Sequence, residues 1–80
     1  MLVLLRFDVS AQELPGFLER ARVAVEVLGE RPGFVRGQVA QALDQAGLMV
    51  VELEFVDVGS YRRALSSSDV KMRAVQFLSA

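Results

Sequence analysis

Cysteine, histidine, tryptophan, asparagine, threonine and isoleucine are all absent from this chain of 80 residues. Without Cys and His there is no thiol nucleophile, no imidazole base, no zinc site of the usual ligands and no axial histidine for haem. Disulfide staples are excluded for the same reason. With only 6 Gly and 2 Pro, collagen-like and linker compositions are excluded, and 52% hydrophobic residues exclude a disordered chain. Charge of one sign is lacking too: Lys and Arg number 9 against 10 Asp and Glu, a net charge of -1, so the chain carries no electrostatic footprint for nucleic acid. Long hydrophobic runs are missing. The apolar opening of residues 1–5 ends at Arg6 and Asp8, far short of a signal segment or a membrane span, and a cytoplasmic protein without a membrane partner is expected. What remains is one domain over 1–80, too short to bury a large share of its surface, for which self-association is the expected supplement.

Apolar periodicity organises that domain. Residues 2–9 read as a strand, with Val3, Leu5, Phe7 and Val9 on one face and Leu2, Leu4, Arg6 and Asp8 on the other. Ser10 and Glu13 have the spacing of a capping box and predict a helix start there. Leu14, Phe17, Leu18, Ala21, Val25 and Leu28 form its apolar stripe. Pro15 conflicts with a start at Ser10, because beyond the first turn it removes a helical hydrogen bond, so the helix begins later or kinks. Pro32 and Gly33 break the chain before a second strand over 34–42. Residues 43–47 form a turn before a third strand over 48–56, where Met49, Val51, Leu53 and Phe55 alternate with Leu48, Val50, Glu52 and Glu54. Gly59 and Ser60 open a short helix through Leu65. The triplet Ser66 to Ser68 interrupts it, and Ser68 or Asp69 caps a further turn with Val70, Ala74, Phe77 and Leu78 inward.

The order strand, helix, strand, strand, helix is an α+β arrangement, a ferredoxin-like split β-α-β unit lacking its last strand. A right-handed crossover places strand three between strands one and two. Both helices then cover one face of an antiparallel sheet, and the other face is open, where function is expected. The expected core is Val3, Leu5, Phe7, Leu18, Ala21, Val25, Val51, Leu53 and Phe55, with Met49 or Val50.

The run Arg31-Pro32-Gly33-Phe34, Asp44 in the hairpin, and Glu54-Phe55 leading to Tyr61, Leu65 and Ser66-Ser67 together resemble a known group over nearly the whole chain. They are similar to the antibiotic biosynthesis monooxygenase (ABM)-like domains of the dimeric α/β-barrel superfamily. The resemblance implies a homodimer whose sheets face each other around a small apolar cavity. It also implies oxidation of a small aromatic or quinone-type compound with neither metal nor flavin, although some members degrade haem and many have no known activity. The chain departs from the active patterns. Phe55 stands where members often carry Trp, and Arg62, Arg63 and Ala64 stand where the next helix often carries His. No catalytic residue carries over, a haem ligand is absent, and no cofactor is expected. The family also ends with a fourth strand, and with Phe77-Leu78-Ser79-Ala80 as the last residues given, the expectation is either a truncated form or an open edge of strand one.

Arg6, Glu52 and Glu54 are candidate ligand-binding residues on the open face, with Asp8, Arg36, Gln38 and Ala40 as neighbours. A carboxylate desolvated there can act as general acid or base, while Arg6 holds it ionised. The plainer reading is that charges alternate on any half-exposed strand or pair across a dimer interface. Tyr61, the only Tyr, either holds a quinone oxygen or seats the second helix on the sheet. Met49 and Met72 line an adaptable pocket or fill core gaps. The serine triplet has no base to activate it. Two functions follow: a cofactor-independent monooxygenase-like protein with a small aromatic substrate, or a non-catalytic small-molecule-binding or assembly module of the same fold.

Overall fold

Burial alternates residue by residue along Leu48–Phe55, which gives the central strand one packed face and one open face. The computed structural model describes residues 1–74. Phe77 and Leu78, expected to point inward, lie outside the described residues. The elements are β1 (Leu2–Asp8), α1 (Leu14–Gly29), β2 (Phe34–Gln41), β3 (Leu48–Phe55), α2 (Val58–Ser66) and α3 (Ser68–Arg73). Among the described residues the sheet has three strands in the order β1-β3-β2, with both pairs antiparallel. This is the expected α+β ferredoxin-like arrangement.

The Ser10–Glu13 capping box forms, but outside the helix proper. Glu13 N–H donates to Ser10 Oγ (3.3 Å), and Ser10 Oγ–H donates to Glu13 Oε1 (2.8 Å). This closes a turn, and α1 starts at Leu14 with Pro15 in its first turn, where a missing N–H breaks no helical bond. The buried stripe of α1 also differs from the expected one. Phe17, Ala21, Ala24, Val27 and Leu28 are buried, whereas Leu18 is 43% exposed and Val25 only partly covered. Two overlapping stripes exist in this sequence, and docking selects between them: α1 packs against both β2 and α3, so its covered side turns away from Leu18. Ala21 and Ala24 are small, and Gly37 on β2 leaves room for the helix. A Cβ at Gly37 would sit 3.0 Å from Val25 Cγ1 and 3.1 Å from Leu53 Cδ2.

Caps set the later helices. Asp57, in extended conformation, accepts a hydrogen bond from Ser60 N–H (2.8 Å) and caps α2, which starts at Val58, one residue before the expected opening at Gly59. Ser67, rather than Ser68 or Asp69, caps α3 by accepting from Val70 N–H (3.2 Å). Asp69 falls instead in the first turn of that helix. Ser67 is the residue held in extended backbone, the geometry that lets a side chain fold back on the following amides. Gly33 has φ +88°, and a Cβ there would collide with the side chain of Ser60, so this turn locks directly onto the start of α2.

The core runs through Val51, Leu53 and Phe55 of β3 to Val27 and Leu28 of α1 and Val70 of α3. Phe55 meets Phe34 edge-on at 5.5 Å between ring centres and Tyr61 at 5.4 Å. Met49 is buried and Val50 lies on the open face, which resolves the pair left open by the sequence. Val3, Leu5 and Phe7 pack against the core only in part.

Candidate functional site

The register places three rows of side chains on the open face. Leu2, Glu54 and Arg36 form the first, Leu4, Glu52 and Gln38 the second, and Arg6, Val50 and Ala40 the third, with Asp8 and Leu48 beyond. Leu2 and Leu4 are each 57% exposed, a high value for adjacent leucines on one strand face. Arg36 Nε contacts Glu54 Oε1 at 2.9 Å, so one of the two carboxylates of β3 is tied down. Glu52 is half-buried and has no ion pair among the described residues. Leu2, Arg36, Gln38, Glu52 and Glu54 line a depression of about 310 Å³.

Three of the four candidate residues thus share a face, but only Glu52 and Glu54 share the depression. Arg6 lies one row further along and borders a separate groove of about 340 Å³ with Asp8, Glu13 and Arg20. Tyr61 is on the helical side of the sheet, against Phe55, where burial pushes its phenol pKa up. It seats α2 and does not face Glu52. Met49 fills the core, while Met72 is exposed. The sequence offers Arg36 only as a neighbour of the candidate residues. Its ion pair depends on β2 pairing with β3 in this register, for which the sequence pattern alone carries no signal. The helix-facing side of β3 is closed, since Val51, Leu53 and Phe55 are at most 1% exposed. Among the described residues no group of three or more acidic side chains could hold a metal ion, and no helix is long and apolar enough to cross a membrane.

One charged group, at the start of α2, affects stability rather than chemistry. The Asp57 carboxylate is held below the usual aspartate range by the Ser60 N–H, then by the Ser60 hydroxyl, with a smaller contribution from Arg63. Because the folded value is depressed, its stabilisation is present above the unfolded pKa, about 3.9, and is lost as pH falls through the folded value. Asp57→Asn, which preserves a capping oxygen, is therefore expected to flatten the fall in melting temperature below about pH 4. Identical acid limbs for the two proteins, followed by circular dichroism, would exclude this contribution.

The sequence matches no protein-family model and no curated protein. Solved structures do match. A conserved protein from Methanosarcina mazei Go1 superposes with a TM-score of 0.83 at 20% identity, covering 98% of this chain and 76% of the other. A point mutant of SnoaB, a cofactor-independent oxygenase from Streptomyces nogalater, gives 0.82 at 22% identity, covering 98% and 79%. A candidate antibiotic biosynthesis monooxygenase from Deinococcus radiodurans gives 0.78 at 16% identity, covering 99% and 78%. The fold is that of the antibiotic biosynthesis monooxygenases. The ABM-like fold read from Arg31-Pro32-Gly33-Phe34 and the residues that follow is thereby borne out. At these identities the likeness is one of fold, and chemistry has to be argued from the open face.

Proposed function

We propose that the protein is a cofactor-independent oxygenase which takes a small aromatic, quinone-forming compound on the open sheet face of a homodimer. The observation that carries this reading is the free Glu52 carboxylate beside exposed leucines, while its neighbour Glu54 is occupied by Arg36. Leu2 and Leu4 offer the aromatic ring an apolar bed, and Gln38 and Arg36 can donate to a carbonyl or phenolate oxygen. Glu52 takes the acidic proton of the substrate, and the resulting electron-rich anion reduces dioxygen. For a phenolic aromatic with an activated methylene, both methylene C–H bonds break and a carbonyl forms at that carbon. One oxygen atom of dioxygen enters the carbonyl, and the other leaves as water with the two hydrogens. The substrate supplies all the electrons that dioxygen takes up, so no metal or flavin is needed. The homodimer is part of the reading because Leu2 and Leu4 would otherwise remain in water on a domain already short of core.

The test is oxygen uptake with such a substrate, with isotopic dioxygen to locate the inserted oxygen. Wild-type protein is expected to accelerate uptake over the spontaneous reaction and to place the label in the ketone. Glu52→Gln should lower the rate roughly 10²-fold, the usual scale for a general base. The second reading, a non-catalytic binding module, is favoured by the position of Tyr61: the only phenol of the chain is on the opposite side of the sheet from Glu52. Thermal stabilisation by the substrate without any acceleration would establish that reading and overturn the first.

A further inference from the structure

The middle row of the open face sets a carboxylate and a carboxamide side by side. Glu52 of β3 and Gln38 of β2 are directly opposed, which puts their Cβ atoms about 4.5–5.5 Å apart. An amide N–H can donate to a carboxylate at that spacing. Here the two side chains make no hydrogen bond to each other, and neither has another side-chain partner among the described residues. Both open instead on the depression. Arg36 differs on two counts: its Nε is engaged by Glu54, and it lies two residues along β2 from Gln38, roughly 6.6 Å further from Glu52's row. Gln38 is thus the nearest unengaged donor to the unengaged carboxylate.

We infer that Gln38 holds the substrate oxygen while Glu52 takes the proton, and that the substrate is an aryl ketone whose activated methylene is bonded directly to the carbonyl carbon. The inference rests on the oxygenase reading proposed above and names its substrate class. In such a ketone only the carbonyl carbon separates the C–H carbon from the oxygen, so two contacts of about 2.9 Å each leave one edge of the molecule and reach two side chains rooted side by side. A methylene and a carbonyl at opposite ends of a ring would hold the carboxylate and the amide a ring width plus two contacts apart, well beyond the opposed spacing. In the step itself the C–H bond breaks and its proton passes to a carboxylate oxygen of Glu52. The electron pair forms a double bond to the carbonyl carbon, and the carbonyl π pair moves onto oxygen, where Gln38 Nε2–H donates to the enolate. Leu4, on the other side of Glu52 in the same row, offers the ring its apolar support. Oxygenation of that carbon then gives two adjacent carbonyls.

Hydrogen exchange without oxygen isolates this step from oxygenation. With 2-tetralone in deuterium oxide under nitrogen, proton NMR follows the loss of the methylene signal between ring and carbonyl. Wild-type protein is expected to accelerate the loss over buffer, and Glu52→Gln to remove the acceleration. Gln38→Leu should slow exchange roughly tenfold or more at saturating ketone with KM little changed, because the amide donates more strongly to the enolate-like transition state than to the ketone. Gln38 is exposed, so this variant should melt like wild type. Gln38→Asn keeps a donor and should exchange faster than Gln38→Leu. The reverse order, or Gln38→Leu exchanging like wild type while Glu52→Gln is slow, would overturn the role of Gln38 and leave the oxygenase reading standing. Rapid exchange that depends on Gln38, with no oxygen uptake once air is admitted, would uphold the proton-transfer assignment and overturn the oxygenase reading alone. A wild type no faster than buffer would overturn both.

Discussion

Phe55→Ala is expected to remove about 3–5 kcal/mol of unfolding free energy, the usual cost of deleting a buried phenyl ring. Phe55 is fully buried at the end of β3 and makes ring contacts with both Phe34 and Tyr61. Truncation therefore leaves a cavity and also ends two aromatic contacts, each of which adds about 0.5–1.5 kcal/mol beyond area burial. Small domains are stable by only about 5–15 kcal/mol, so the loss is a large fraction of the total. At about 4–8 °C per kcal/mol for a domain of this size, the melting temperature should fall by well over 10 °C. Urea unfolding followed by the fluorescence of Tyr61 measures this at fixed protein concentration, which matters because association contributes to apparent stability. A midpoint within error of wild type would show that the ring is not the keystone between strand and helix that its burial indicates.

Val50→Glu has the largest expected effect on assembly. Val50 occupies the third row of the open face, between Arg6 and Ala40. In a sheet-face dimer its side chain is covered by the partner, and a carboxylate there would be buried twice, once per subunit. Even with the cross-strand Arg6 as a counter-charge, taking a carboxylate out of water costs roughly 3 kcal/mol or more, which corresponds to a dissociation constant raised at least a hundredfold. The isolated subunit should still fold, because Val50 is only half-buried within its own chain. The variant should therefore sediment as a monomer at micromolar concentration and lose the concentration dependence of its melting temperature. A wild-type monomer at that concentration, or a variant that remains dimeric, would exclude the open face as the interface.

The features legible from sequence were those that depend on local period or on residue inventory. The alternation of Met49, Val51, Leu53 and Phe55 with Leu48, Val50, Glu52 and Glu54 separated the two faces of β3, because a strand has a period of two whatever packs against it, while the choice of Met49 over Val50 for the core came from the packing. The turn at Pro32-Gly33 was legible because Gly33 adopts a backbone region that side chains rarely enter. Helix α1 was legible as a helix but not in its orientation. Its sequence carries overlapping stripes, and Leu18 rather than Ala24 was expected inside. The caps failed for a related reason. Asp57, Ser60, Ser66, Ser67, Ser68 and Asp69 are all competent capping residues, and only the path of the backbone chooses Asp57 and Ser67.

The sequence by itself determined that this chain has no imidazole, thiol or indole chemistry, that it alternates strands with amphipathic helices in a ferredoxin-like order, and that its central strand presents two carboxylates on one side. These follow from composition and from periods spanning a few residues. Only the tertiary structure decided that Glu54 is tied to Arg36 while Glu52 has no such partner among the described residues, that Arg6 stands one row from Glu52 and two from Glu54, and that Tyr61 is behind the sheet. Each of those outcomes depends on how segments distant in sequence are registered and docked. A shift of one residue in strand pairing, or a small rotation of a helix, exchanges which groups meet without altering any local preference of the chain.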